Sequence, residues 1–388
     1  MNEDTLVIRR DRAAHHVDAE VRAKAFAALL DSVRAYLVGQ SDQSIDMLDE
    51  VEVMVLLNEA LHHKLAPLVA GRLRRHPGLS QPLRIHVTEL QMLAGHRLNV
   101  FVRHALHTQR LLHAHDIKVL FRKGVVLSVS LYRSPSDRHC SDIDLYCAAR
   151  DREVARRVLL DAGLQEGELN NDRRHRPHSR SEAFFTKLYP DHLPRLIIET
   201  ADPLLPSVQV DVSVDIGWSG APLSDARHAF LVRELENTAT DANGLGTAST
   251  AWFHFIDVAL HLYRDAYFEM NIDKGVDVHL SKFLDLALLW RQMSEQIPEF
   301  QRTVDELGAA DAMAWVTHHC DEVLGTRISR ALGLDRRVHE GLVRPNTWQG
   351  LDGQVRPWEG TMTDRLRRKS SPGDDIRQGG IHHPGVVR

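Results

Sequence analysis

Apolar residues recur at helical spacing through most of the first third of the chain. Over 19–37, Ala25, Ala28, Leu29 and Val33 share one stripe, the signature of an amphipathic helix. A second stripe of Met47, Val51, Met54, Leu61 and Leu65 predicts a helix from Ser44, as N-cap, to about residue 66. Pro67 marks its end or a kink. Leu90, Leu93, Leu98, Val102, Leu106, Leu111 and Leu112 predict a third helix over 83–115, with Pro77 and Pro82 punctuating the gap before it. The rhythm then shortens. Residues 117–121 and 143–147 read as strands, with an apolar helix over 125–132 and a loop at Ser134–Asp137 between them. An amphipathic helix over 152–162 closes at Gly163, and 183–188, 195–200 and 208–216 are further strand candidates. Residues 170–180 are polar and basic, the composition of a mobile loop. Helical patterning returns from about Ser224, clearest over 250–268, 280–293 and 310–324, and gives way at Asp364 to Arg, Lys, Ser, Gly and Pro.

Helices, a small mixed sheet, then helices again predict an α+β fold: a sheet-bearing core over 117–218 flanked by helical regions at 1–116 and 219–363. The tail over 364–388 is expected to be disordered. Composition narrows the class. Hydrophobic residues at 43% and charged residues at 26% exclude disorder along the whole chain. The net charge of −5 supplies no global attraction to nucleic acid or anionic membrane. Cys140, Cys147 and Cys320 cannot make a disulfide framework and lack a zinc-binding spacing. The first ten residues lack the apolar core of a secretory signal, and no apolar run approaches the roughly 18 residues that span a bilayer. A cytoplasmic protein without a membrane partner is expected.

The chemistry concentrates in Arg138-His-Cys-Ser-Asp-Ile-Asp-Leu145. Alternate residues of a strand share a face, so Asp142 and Asp144 project together while Ile143 and Leu145 turn to the core. Two carboxylates that close repel, and keeping both ionised calls for a cation; a hard divalent ion such as Mg²⁺ or Mn²⁺ suits oxygen ligands. Further along, Asp211 and Asp215 share a face of the 208–216 run and are the two candidates for a third carboxylate. Gly124, opening the 125–132 helix, lets backbone N–H groups approach a phosphate, with Lys123 and Arg138 as candidate phosphate contacts.

Lys123-Gly124, Tyr132, Arg138 and Ser141 to Leu145 together resemble the polymerase-beta-type nucleotidyltransferase superfamily, and within it bacterial nucleotidyltransferase family proteins. The likeness reappears at Val214-Asp-Ile-Gly-Trp218 and around His254 and His261. It departs from the pattern in having Lys123-Gly124 where Gly-Ser or Gly-Gly is usual. Gly217 also stands in place of a histidine. The resemblance implies a metal-dependent transferase in which Asp142 and Asp144 bind the metal and a third carboxylate, Asp215 ahead of Asp211 by local match, joins them. Lys123, Gly124, Arg138 and Ser141 would line the nucleotide site, an NTP such as ATP would donate its nucleoside monophosphate, and the acceptor is open. The unusual turn and Gly217 keep a second reading in view, a nucleotide-binding module without catalysis.

Other clusters carry less. His254, Asp257, His261 and Asp265 share one helix face, the pattern of a polar face packed beside a cleft. Arg173, Arg174, Arg176 and Arg180 form the densest basic patch but lack the interleaved aromatics of a nucleic-acid surface.

Overall fold

A computed structural model describes residues 18–40, 43–170, 174–180, 184, 191–217, 225–272, 277–293 and 296–369. Helix α1 (Ala19–Val38) starts where the Asp18 carboxylate accepts the Glu20 N–H and ends at Gly39 in the left-handed conformation. Helix α2 (Glu50–His62) begins six residues beyond the expected N-cap. A capping box, in which Asp49 and Glu52 each accept the other's backbone N–H, outcompetes Ser44. Pro67 does not end that helix. It sits in the first turn of α3 (Ala66–Leu73), where its missing N–H costs nothing. Helix α4 (Gln81–His113) follows, close to expectation.

Up to residue 247 the strands are β1 (Val119–Arg122), β2 (Ile143–Cys147), β3 (Gln165–Glu166), β4 (Glu168–Leu169), β5 (His175–Arg176), β6 (Leu196–Glu199), β7 (Ser207–Ser213), β8 (Ala239–Thr240) and β9 (Gly246–Thr247). Seven of them form one mixed sheet in the order β3-β6-β7-β2-β1-β9-β8. Its central pairings are β1 with β2, antiparallel, and β2 with β7, parallel. Helices α5 (Gly124–Leu131) and α6 (Arg152–Asp161) flank β2 in sequence, and α7 (Asp225–Glu236), α8 (Ala251–Tyr267), α9 (Leu280–Trp290), α10 (Ile297–Glu306) and α11 (Ala310–Leu324) follow β7. Residues 170–180 are not all loop: β4 and β5 pair as a short ribbon on either side of the undescribed residues 171–173. Of the candidate strand 183–188, only Phe184 lies among the described residues. The β8–β9 hairpin escapes periodicity because each strand has two residues, joined by a turn in which Asp241 accepts the N–H groups of Asn243 and Leu245.

Alternation divides the sheet into two faces. Val119, Phe121, Ile143, Leu145, Val210 and Val212 pack with the second half of α4 and with α6. The opposite face carries Leu120 and Tyr146 into a larger core shared by α1, α2, α3, α8, α9 and α11. The N- and C-terminal helices are thus parts of one apolar body, built on the face that also displays Asp144.

The expected tail is ordered through α12 (Met362–Lys369). Leu366 is fully buried, and Arg365 donates to Asp277 at 3.0 Å and to the Ala266 carbonyl at 2.7 Å while its guanidinium lies over Trp358. Composition hides this anchor because two apolar residues, Met362 and Leu366, and one paired arginine suffice to seat a two-turn helix. Asp277→Ala leaves the buried guanidinium without its counter-charge. It is expected to cost about 3–5 kcal/mol, read as a lowered urea midpoint, and no change would contradict this role.

Candidate active site

Register brings the acidic residues together. Arg122 on β1 opposes Asp144 on β2, and Asp144 opposes Asp211 on β7. Opposed residues of paired strands share a face, so arginine and two carboxylates form one row across three strands. Asp142, just before β2, joins the same face two residues earlier, and Ser141 Oγ donates to its Oδ1 at 3.0 Å. Asp215 is placed differently. It lies beyond the end of β7, is buried, accepts the Gly217 N–H at 3.1 Å and pairs with Arg227 at 3.7 Å. A Cβ on Gly217 would meet the Arg227 guanidinium at 2.3 Å. Arginine therefore fills the space that a side chain at 217 would need.

Cations offset the row only in part. Arg122, 5% exposed, donates through Nε to Asp257 of α8 at 2.9 Å, and Tyr146 donates to the same carboxylate at 2.8 Å. The guanidinium also stacks over the Tyr146 ring at 4.3 Å. From the turn, Lys123 Nζ reaches Asp144 at 3.3 Å. Lys123 holds φ 50° and ψ −118°, a backbone state that glycine adopts without strain and that costs another residue about 1–3 kcal/mol. The lysine stands where a glycine would be easier, and its side chain is what the site gains. Gly124 serves packing as well as approach, because a Cβ there would strike Cys140 Sγ at 2.8 Å and the Asp142 carbonyl oxygen at 3.4 Å.

Electrostatics separates the two neighbouring carboxylates. Burial, then the charge of Asp144, pushes Asp142 up to about 6, with Lys123 opposing the rise. Burial would raise Asp144 too, but Lys123 and then Arg122 outweigh it and hold Asp144 below the usual range. Three acidic side chains on one face are a hard oxygen donor set, and their mutual repulsion is what a divalent ion would relieve. Their oxygens are not already gathered around one point, since Lys123 engages Asp144. Among the described residues, His318, His319 and Glu322 are a triad whose donor atoms all lie within 4.8 Å of one another. That triad is occupied: His319 bonds Glu322 and the Pro345 carbonyl, and Glu322 accepts the Met362 N–H that starts α12.

Other expected residues have structural duties. Arg138 makes a two-pronged pair with Asp285 of α9, at 3.1 and 2.8 Å, and Tyr132 donates to the same carboxylate at 2.7 Å. Its charge is thus held by Asp285, beside the Gly124 turn. Burial pushes the Cys140 thiol up to about 12, which removes it as a nucleophile at neutral pH. His254 bonds Thr247, and burial pushes it down to about 4. In the basic patch, Arg176 pairs with Glu168, and Arg173 lies outside the described residues. Among the cations, Lys64, Arg122, Lys282 and Arg264 went unread. Lys282 and Asp285 did leave a signal, two charges inside the largely apolar run Leu280–Trp290.

Residues 49–325 match the sequence family described as uncharacterised nucleotidyltransferase. The chain belongs to that family. No curated protein and no solved structure matches it. The family segment of this nucleotidyltransferase takes in α2 to α4, the acidic strands and α8 to α11 together. Among its described residues, no helix is long and apolar enough to cross a membrane.

The raised Asp142 has a pH consequence. A folded value above that of an unfolded aspartate contributes stability that is complete below about pH 4 and is lost as pH rises through about 6. Without divalent ions, Asp142→Asn is therefore expected to raise the melting temperature at about pH 8 and to give little gain at about pH 4. Thermal melts at the two pH values check this, and a gain independent of pH would refute it.

Proposed function

We propose that the chain is a metal-dependent nucleotidyltransferase of the polymerase-beta type, with Asp142, Asp144 and Asp211 as its catalytic carboxylates. The observation that carries this reading is the β2–β7 register, which opposes Asp211 to Asp144. Asp215, the other candidate for the third position, is engaged by Arg227 and the Gly217 N–H, and we assign it a structural part. The three carboxylates would hold Mg²⁺ or Mn²⁺, which supplies neutralising charge at the α-phosphate and polarises the attacking oxygen.

The residues of the chain do the rest. An acceptor hydroxyl is held beside Asp211, which takes its proton as the oxygen bonds to the α-phosphorus. The bond from that phosphorus to the bridging oxygen of the β-phosphate breaks, and pyrophosphate leaves with the electron pair. Lys123, which pairs with Asp144, would offer its charge to the departing phosphates when Asp144 serves as a metal ligand. Arg122, fixed by Asp257 and Tyr146, keeps a permanent positive charge in the row with Asp144 and Asp211. Positioning and fixed charge supply most of the acceleration in such transfers. The acceptor is a small molecule, a protein or an RNA bearing a hydroxyl or similar nucleophile.

Asp144→Asn combined with Asp211→Asn is expected to lower pyrophosphate release from Mg²⁺–NTP by roughly a thousandfold or more with the fold intact. Asp215→Asn, corrected for folded fraction, is expected to stay within about tenfold of the wild type. Pyrophosphate release over a panel of acceptors measures both. Full activity in the double variant would end the mechanism, and a larger loss in Asp215→Asn would exchange the two roles. NTP binding without release from any acceptor would favour the non-catalytic module.

A further inference from the structure

The second half of α4 presents two distinct faces. One buries Phe101, Ala105 and Leu112 in the core beneath the apolar side of the sheet. Val100, Arg103, His104 and His107 stand at i, i+3, i+4 and i+7 and so share another face of the same helix. That face forms one wall of an open cleft of about 520 Å³. Small-molecule sites occupy roughly 300–1,000 Å³, so the space suits a compact organic ligand. The opposite wall is the turn joining β6 to β7, residues 200–203. The sheet lies between this cleft and the acidic row.

The turn is held in place from within. Asp202 Oδ1 accepts the Leu204 and Leu205 N–H groups at 2.9 and 3.2 Å, and the Asp202 N–H donates to Thr200 Oγ1 at 3.1 Å. His96, one turn of α4 before Val100, bonds Asp202 Oδ2 at 2.8 Å and ties the turn to the helix. The carboxylate in the lining is thus engaged through both oxygens. The groups facing it are not engaged: among the described residues, Arg103, His104 and His107 make no hydrogen bond and no ion pair. Burial, then the charges of Arg103 and His107, press half-buried His104 below its ordinary value, so the potential on that wall is positive. Val100, Ala201 and Pro203 supply apolar surface beside these donors.

We propose that this cleft is a second binding site, one that takes a small phosphate monoester carried on an apolar body. The forked guanidinium of Arg103 and the two imidazoles offer more donors than a single carboxylate could use, and they match the several oxygens of a phosphate dianion. Val100, Ala201 and Pro203 receive the apolar body. A tethered turn opposite a long helix is a preformed wall, so little ordering opposes binding. The site stands apart from the transfer reading, since no residue of the acidic row lines it.

Calorimetric titration of the full chain without divalent ions, using naphthyl phosphate, naphthol and inorganic phosphate in turn, tests the site. Naphthyl phosphate is expected to bind at least about tenfold more tightly than either fragment. Arg103→Met keeps the apolar stem of an exposed, unpaired side chain and is expected to weaken binding roughly tenfold. Ala201→Trp, at an exposed position, fills the cleft and is expected to remove binding while the thermal melt stays unchanged. Asp144→Asn combined with Asp211→Asn is expected to bind naphthyl phosphate as the wild type does. The site is overturned by no binding to the wild type, by equal binding in either Arg103→Met or Ala201→Trp, or by loss of binding in the acidic-row variant. Naphthoate bound as tightly as naphthyl phosphate would overturn the phosphate assignment.

Discussion

Parallel pairing of β2 with β7, in the register that opposes Asp144 to Asp211, is the constraint on which the rest of the molecule depends. Adjacent strands lie about 4.8 Å apart, so ionised side chains facing each other across them repel at close quarters in a partly buried place. The fold tolerates this because a third strand brings Arg122 into the same row and the adjacent turn brings Lys123. Asp257, on α8, then fixes Arg122 and Tyr146, so a helix from the C-terminal region holds the cation that steadies the acidic strands.

The same logic explains the shared helical body. A sheet with one charged and one apolar face cannot bury both faces alike. The apolar face is closed by α4 and α6, whereas the charged face is covered by helices that bring counter-charges with them. Asp285 holds Arg138 and Tyr132, Asp257 holds Arg122, and Asp265 holds Lys282. Each is a buried or nearly buried pair whose formation requires α8 or α9 to be seated. The helices and the acidic strands are therefore coupled energetically as well as spatially, and the family segment spans both.

Much of the layout was legible in the chain alone because it rests on local periodicity. Strand β2 occupies the same five residues that the alternation predicts, and α4, α5 and α6 fall within a few residues of their stripes. The departures have local causes: a capping box moved the start of α2, Pro67 opened a helix, and two-residue strands were too short to show a period. The last helix was hidden because its anchor is one arginine whose partner, Asp277, lies 88 residues away.

By itself the sequence determined that Asp142 and Asp144 share a face, that a glycine-bearing turn precedes them, and that Asp211 and Asp215 are equivalent in pattern. It could not choose between the last two, since alternation repeats every second residue and assigns both to one face. Only the tertiary structure decided which of them stands beside Asp144, because register between distant strands is set by the packing of both sheet faces. The docking of His63 against Leu280 was likewise a decision of the fold. Two residues more than two hundred positions apart carry no mutual signal until one turn is hydrogen-bonded to the start of one helix.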